Sequence, residues 1–236
     1  MATKSPTPLS ALPHFDPRQV RVVGVDSHLS AVNADRLTAQ ALRERFAVPP
    51  VWAPEIWAEK RFSDRKIAHA SVLIPILQRD QPTVLLTERT HHLSTHSGQI
   101  AFPGGKADDE DEDAAATALR EAHEEVGLES RHVEVLGELP VYVTGTAFIV
   151  TPVVALVHPG FTLTPNTHEV ADVFEVPLAF LMDPAQHRRH AFEWESQRRE
   201  WFSMPYQDTL APGAPERFIW GATAGMLRNF YRFLVA

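Results

Sequence analysis

Residues 102–128 read FPGGKADDEDEDAAATALREAHEEVGL: a Pro-Gly-Gly bend, six consecutive acids, then an alanine-rich stretch closed by a glycine. Alanine and leucine favour helix, so Ala114–Val126 is predicted to be helical. Asp113 is placed to cap its first turn, the preceding acids suit the positive end of the helix dipole, and Gly127 suits the left-handed position that ends a helix. At about 100° per residue, Ala115, Ala118, Leu119, Ala122 and Val126 form one apolar stripe that must enter a core. Glu121, Glu124 and Glu125 then fall within roughly 100° of one another on a different face. Neighbouring carboxylates repel by on the order of 0.2–0.5 kcal/mol per pair on a free helix. A hard divalent cation turns that repulsion into ligation. The plainer alternative is a solvated acidic face. In the bend, proline fixes φ and the glycines allow backbone to approach a ligand or metal closely. Arg120, beside Glu121, is suited to hold a ligating glutamate in place.

The run from Arg120 to Leu128, Arg-Glu-Ala-His-Glu-Glu-Val-Gly-Leu, resembles the second half of the Nudix box at every defined position. The first half carries one extra loop residue. Counting forward from Gly105 puts the first box acid at Asp111, and counting back from Arg120 puts it at Glu112. Upstream, Leu85-Leu86-Thr87-Glu88-Arg89-Thr90 and Gly98-Gln99-Ile100-Ala101-Phe102-Pro103-Gly104-Gly105 resemble the signature of the coenzyme A pyrophosphatase subfamily, which shares the longer loop. Val143-Thr144-Gly145, Glu169-Val170, Phe174-Glu175-Val176-Pro177-Leu178 and Ile219-Trp220-Gly221-Ala222-Thr223-Ala224 are similar as well. Ser94 departs from the signature, which usually has arginine there.

The resemblance implies a Nudix fold, a mixed β-sheet sandwiched between helices, in the α/β (α+β) class. It implies metal-dependent hydrolysis of a pyrophosphate bond, with coenzyme A or acyl-CoA giving adenosine 3′,5′-bisphosphate and 4′-phosphopantetheine. Mg2+ or Mn2+ would be held by Glu121, Glu124, Glu125 and the Gly104 carbonyl. Glu121, Glu124, Arg120 and Glu169 would be the catalytic group, with either Glu121 or Glu169 activating water. Arg89, Gly104 and Gly105 would touch substrate, the planar fork of Arg89 suiting a phosphate. One rival keeps the chemistry and changes the substrate to ADP-ribose, a dinucleotide or a dNTP. A second is a non-catalytic nucleotide-binding module, against which stand the three retained glutamates.

The remaining sequence bounds the setting. The chain has 236 residues, a formal charge of −8 and no cysteine. Thiolate sites are therefore excluded, leaving oxygen or imidazole for any metal. The acidic balance argues against a nucleic-acid partner, which needs a basic footprint. No apolar run approaches the roughly 18 residues of a membrane span, and the N-terminus lacks a secretory segment, so no membrane partner and a cytoplasmic setting are expected. The expected partner is a small nucleotide diphosphate, and a homodimer is left open. His91, His92, His96 and His123 match no helical zinc spacing.

Residues 1–65 read as a proline-punctuated, partly helical N-terminal extension of unassigned function, with a helix over 35–46 capped by Asp35. Residues 66–236 read as the hydrolase domain. Strands are expected over 70–77, 83–88, 98–102, 133–143, 148–158 and 171–176, a short helix over 177–182, and a hairpin from 190–194 and 201–206. A closing helix over 219–235 would carry Ala222, Met226, Phe230 and Phe233 near one face.

Overall fold

The apolar runs SVLIPIL (71–77) and PVVALV (152–157) lie side by side at the centre of the computed structural model, which describes residues 16–59, 66–90, 98–194, 197–208 and 213–236. They belong to β2 (Ala68–Leu77) and β8 (Phe148–Val157), paired in parallel from Ala68↔Phe148 to Leu77↔Val157. Around them sit β3 (Thr83–Arg89), β4 (Ile100–Ala101), β5 (Gly104–Lys106), β6 (Val133–Glu138), β7 (Tyr142–Val143) and β9 (Val170–Pro177). The resulting eight-stranded sheet runs β4-β3-β2-β8-β6, with β5 on β2, β7 on β8 and β9 on β3. Every pairing except β2–β8 is antiparallel, so the sheet is mixed, as expected.

Strand side chains alternate between faces, and both faces here are covered, which is why the central runs are almost continuously apolar, Ser71 excepted. On one face Leu73, Leu77, Leu85, Val153, Ala155 and Val157 meet Ala118, Ala122 and Val126 of α2 (Ala114–Val126). On the other, Ile74, Ile76, Val84, Leu86, Val154 and Leu156 form the larger core with α4 (Gly221–Val235) and α1 (Ala39–Ala47). A second, antiparallel sheet completes that side: β1 (Val22–Val25), β10 (Arg188–Trp194), β11 (Gln197–Tyr206) and β12 (Arg217–Trp220), in the order β1-β10-β11-β12. A one-turn helix, α3 (Leu178–Leu181), follows β9.

Several elements differ from the sequence reading for identifiable reasons. The first helix begins at Ala39, because Thr38 is extended and its hydroxyl takes the Ala41 N–H at 3.3 Å; Asp35 falls in a separate 3-10 turn, Ala34–Leu37. The single strand expected over 133–143 is two, β6 and β7, broken around Pro140, which has no N–H to give a ladder. Gly104 and Gly105 lie in a strand beside β2. A Cβ on Gly104 would lie 2.5 Å from the Ser71 carbonyl oxygen, so only glycine fits. The closing helix starts at Gly221, with residues 217–220 forming β12. It is wedged between two sheets, so burial extends well beyond one stripe and includes Arg228 and Asn229.

Residues 16–59 are tied into this body. The strand β1 pairs with β10, and the Phe46 ring on α1 sits 4.8 Å from that of Phe233. Arg228, 1% exposed, bonds Glu55 Oε2 at 2.7 Å and pairs with Asp26 Oδ2 at 2.8 Å. His187 accepts from Arg228 at Nδ1 (3.1 Å) and donates from Nε2 to the Leu181 carbonyl (2.8 Å), a neutral tautomer consistent with burial lowering its pKa to about 4.

Gly225 of α4 lets the Tyr142 ring lie on the helix, since a Cβ there would come 2.6 Å from the phenol oxygen. In Gly225→Ala, overpacking of about 1–3 kcal/mol exceeds the helix-propensity gain of about 1 kcal/mol. A melting point lower by roughly 2–4 °C is expected by circular dichroism. An unchanged or higher value would mean the ring shifts freely.

Candidate active site

The Nudix-like helix is positioned by its ends. Asp113 accepts from the Ala116 N–H at 2.7 Å, and Gly127 (φ 71°) closes the helix by donating to His123 O at 2.9 Å. The face with Ala118, Ala122 and Val126 is buried on the sheet. Beside it, the inward-turned carboxylates meet β5.

Glu125 is 5% exposed and takes the Gly104 N–H on Oε2 at 3.2 Å. Arg89, at the end of β3, stands 3.7 Å away at Nη1, and its buried Nε has no hydrogen-bond partner among the described residues. Burial pushes the Glu125 carboxyl up to about 7; Gly104 and Arg89 pull it down, and the charges of Glu121 and Glu169 push it further up. Glu121 is half-buried, with its carboxylate where a Cβ on Gly105 would lie. Desolvation raises its pKa too, against the lowering effect of Arg120.

Arg120 organises the outer rim. Its guanidinium bonds Asp111 twice (3.0 and 2.9 Å), Glu121 (3.0 Å), Glu124 (3.2 Å) and the Lys106 carbonyl (3.1 Å). The Arg120 bonds hold the Asp111 carboxyl well below its ordinary range and raise the guanidinium pKa in turn. Of the two loop acids left open by counting, Asp111 is the one that reaches Arg120, and Glu112 is exposed.

The three box glutamates are not gathered as a trio. Glu121 and Glu125 lie next to the glycine strand, whereas the Glu124 side chain is 56% exposed and paired to Arg120. Glu124 and Glu125 are about 100° apart round the helix, so tucking one under β5 turns the other outward. Among the described residues no group of three or more His, Asp or Glu side chains stands ready to hold a metal. Glu121 and Glu125 nevertheless fit a hard cation: two oxygen donors, one deeply desolvated, gather beside glycines whose missing side chains leave the room.

Glu169 sits on a loop bound to the far end of α2. Thr164 N–H donates to Val126 O (2.8 Å) and Asn166 N–H to Glu125 O (2.9 Å), while Thr90 N–H donates to the Glu169 carbonyl (3.0 Å). Its charge raises the pKa of both Glu121 and Glu125, so it belongs to the same electrostatic centre. Thr164 and Asn166 make these ties through backbone N–H groups, which leave no residue-type signal in the sequence. His123 is exposed, while Ser94, His91, His92 and His96 lie outside the described residues.

Residues 68–205 match the NUDIX domain. An uncharacterized Nudix hydrolase NudL of Photorhabdus laumondii is 41% identical over 170 residues, 72% of this chain and 86% of that protein. Its namesake in Escherichia coli K12 is 43% identical over 161 residues, 68% of this chain and 79% of that one. A Caenorhabditis elegans structure, an Ap4A hydrolase binary complex, overlays with TM-score 0.41 and 19% identity over 50% of this chain and 86% of that one, too loosely to add anything. The chain belongs to the Nudix family. It is a Nudix hydrolase, an enzyme of a family that acts on nucleoside diphosphate derivatives and generally uses divalent metal ions. No helix among the described residues is long and apolar enough to cross a membrane.

Proposed function

We propose that the enzyme cleaves the diphosphate of coenzyme A or an acyl-CoA, giving 4′-phosphopantetheine and adenosine 3′,5′-bisphosphate. The observation that carries this reading is the subfamily-like signature over 85–90 and 98–105, whose Arg89 guanidinium stands beside Glu125 at the glycine strand. Glu121 and Glu125, with the Gly104 carbonyl, would hold Mg2+ or Mn2+, and Glu124 would lend a further carboxylate from the rim. The bound cation supplies neutralisation of the diphosphate charge. Arg89 grips a phosphate oxygen with its donor fork. Arg120 orients Glu121 and ties down the acidic loop through Asp111. Glu169, held by the Asn166 amide at 3.4 Å, is free of the Arg120 clasp and takes the proton of the attacking water. The water oxygen bonds to one phosphorus, the bridging P–O bond breaks, and the proton ends on the departing phosphate or in solvent.

A substrate panel with Mg2+ or Mn2+ tests this. Coenzyme A should be cut at least about tenfold more efficiently, by kcat/KM, than ADP-ribose, dinucleotides or dNTPs, a difference of about 1.4 kcal/mol. Negligible coenzyme A turnover beside rapid ADP-ribose cleavage would replace the substrate and keep the chemistry. Ser94, where the signature usually has arginine, is what favours that second reading.

A further inference from the structure

Residues 164–169 form a strap between the box helix and the end of β3. One end rests on the last turn of α2, where Val126 O takes the Thr164 N–H and Glu125 O the Asn166 N–H. Those carbonyls belong to the end of the helix, where the backbone has no intrahelical donor left. Asn166 then closes the turn from inside. Its carbonyl takes the N–H groups of Glu169 and Val170 (2.9 Å each), and its side-chain oxygen takes the His168 N–H (3.2 Å). Its amide donates to Glu169 Oε1 at 3.4 Å, so where the strap goes the Glu169 carboxylate follows.

The other end is fixed by one residue of a different element. Thr90, next after Arg89, is 6% exposed. It donates its N–H to the Glu169 carbonyl (3.0 Å) and its hydroxyl to the His168 carbonyl (3.1 Å). Two consecutive peptide carbonyls of the strap therefore rest on a single side of Thr90. The side chains of His168 and Glu169 are exposed, so burial of their own atoms does not hold the strap there. The N–H bond is open to any residue but proline; the hydroxyl bond depends on the threonine itself. Adjacent positions thus serve the same centre: Arg89 faces Glu125, and Thr90 holds the backbone of Glu169.

We propose that Thr90 is a positioning residue for hydrolysis, its hydroxyl pinning the strap so that Glu169 is presented to the Glu121–Glu125 side of the box helix. The inference rests on the reading of Glu169 as the group that activates water. Thr90 touches no reacting atom; it acts through Glu169. A base displaced by about 1 Å can lose up to about a hundredfold in rate, and the strap keeps its ties to α2, so a tenfold loss is expected.

The test uses the full chain with Mg2+ and the best-cut nucleotide of the panel above. Thr90→Val keeps the bulk and the N–H bond but removes the hydroxyl, Thr90→Ser keeps the hydroxyl, and Thr90→Ala replaces the valine variant if circular dichroism shows that it does not fold. The valine variant should lose about tenfold in kcat with KM within about twofold, and the serine variant should stay within about twofold of the parent. Glu169→Gln should lose about 10²-fold, and adding Thr90→Val to it should change kcat by less than about twofold, because the partner it acts through is already gone. Amide hydrogen exchange over 164–170, read without substrate or metal, should quicken about fivefold in the valine variant and return to the parent rate in the serine variant. Unchanged exchange in a folded variant, kcat within about twofold of the parent, or an equal loss on the glutamine background overturns the role of Thr90. Glu169→Gln with the parent's kcat sinks the assignment of Glu169 instead, and the exchange rates alone then decide whether Thr90 pins the strap.

Discussion

Glu125→Gln is expected to lower metal-dependent turnover by at least about 10³-fold, roughly 4 kcal/mol of transition-state stabilisation, while making the metal-free protein more stable at pH 8. Glutamine keeps the shape and can still accept the Gly104 N–H, but it removes an anion that is 5% exposed. In the folded parent the Glu125 carboxyl is pushed up to about 7, from an ordinary 4.5. The folded state therefore holds that proton more tightly than the unfolded chain does. Its contribution to stability is complete below about pH 4.5 and is lost as pH rises through about 7, a loss on the order of 3 kcal/mol. A glutamine at 125 does not titrate, so the variant's advantage should be small at pH 5 and reach roughly 5–10 °C in melting temperature at pH 8. Calorimetry in chelator at both pH values measures this. Added Mg2+ or Mn2+ should then stabilise the parent more than the variant, because ligation is linked to folding. A variant that melts below the parent at pH 8 would make Glu125 a structural anchor for β5.

Arg120→Lys is expected to cost about 10²-fold in kcat, near 2.7 kcal/mol, with the melting temperature little changed. The guanidinium makes five bonds, to Asp111, Glu121, Glu124 and the Lys106 carbonyl. Lysine carries the same charge as a point and cannot reproduce a planar fork. Glu121 then loses its orienting partner, and the acidic loop loses its tie to the helix. The metal concentration for half-maximal rate should rise together with the fall in kcat. A lysine enzyme within about threefold of the parent would show that charge at position 120 is enough.

These two residues mark the boundary between local and long-range information. Arg120, Glu121 and Glu125 stand out by spacing, and the helix that bears them is specified by nearby groups: Asp113 at one end, Gly127 at the other, alanines between. The separation of Glu124 from Glu125 is different in kind. Both lie on the acidic side, and which one is desolvated depends on where β5 crosses the helix. The choice of Asp111 over Glu112 likewise depends on the path of a loop that must reach Arg120 from the glycine strand.

The N-terminal stretch is the clearest case. Its prolines read as an appendage, yet Asp26 and Glu55 close on Arg228 and Arg189 about 130 to 200 positions later in the chain, in pairings that no local pattern announces. By its sequence alone the protein determined its Nudix helix, the twice-covered central strands and the family chemistry, because caps, side-chain periodicity and the box spacing all act within a few residues. Only the tertiary structure decided which glutamate is buried, which acid holds Arg120, that the glycines form a strand, and that residues 16–59 are tied into the body of the fold. Those outcomes rest on contacts between distant segments, where burial and charge pairing are settled by what each side chain meets.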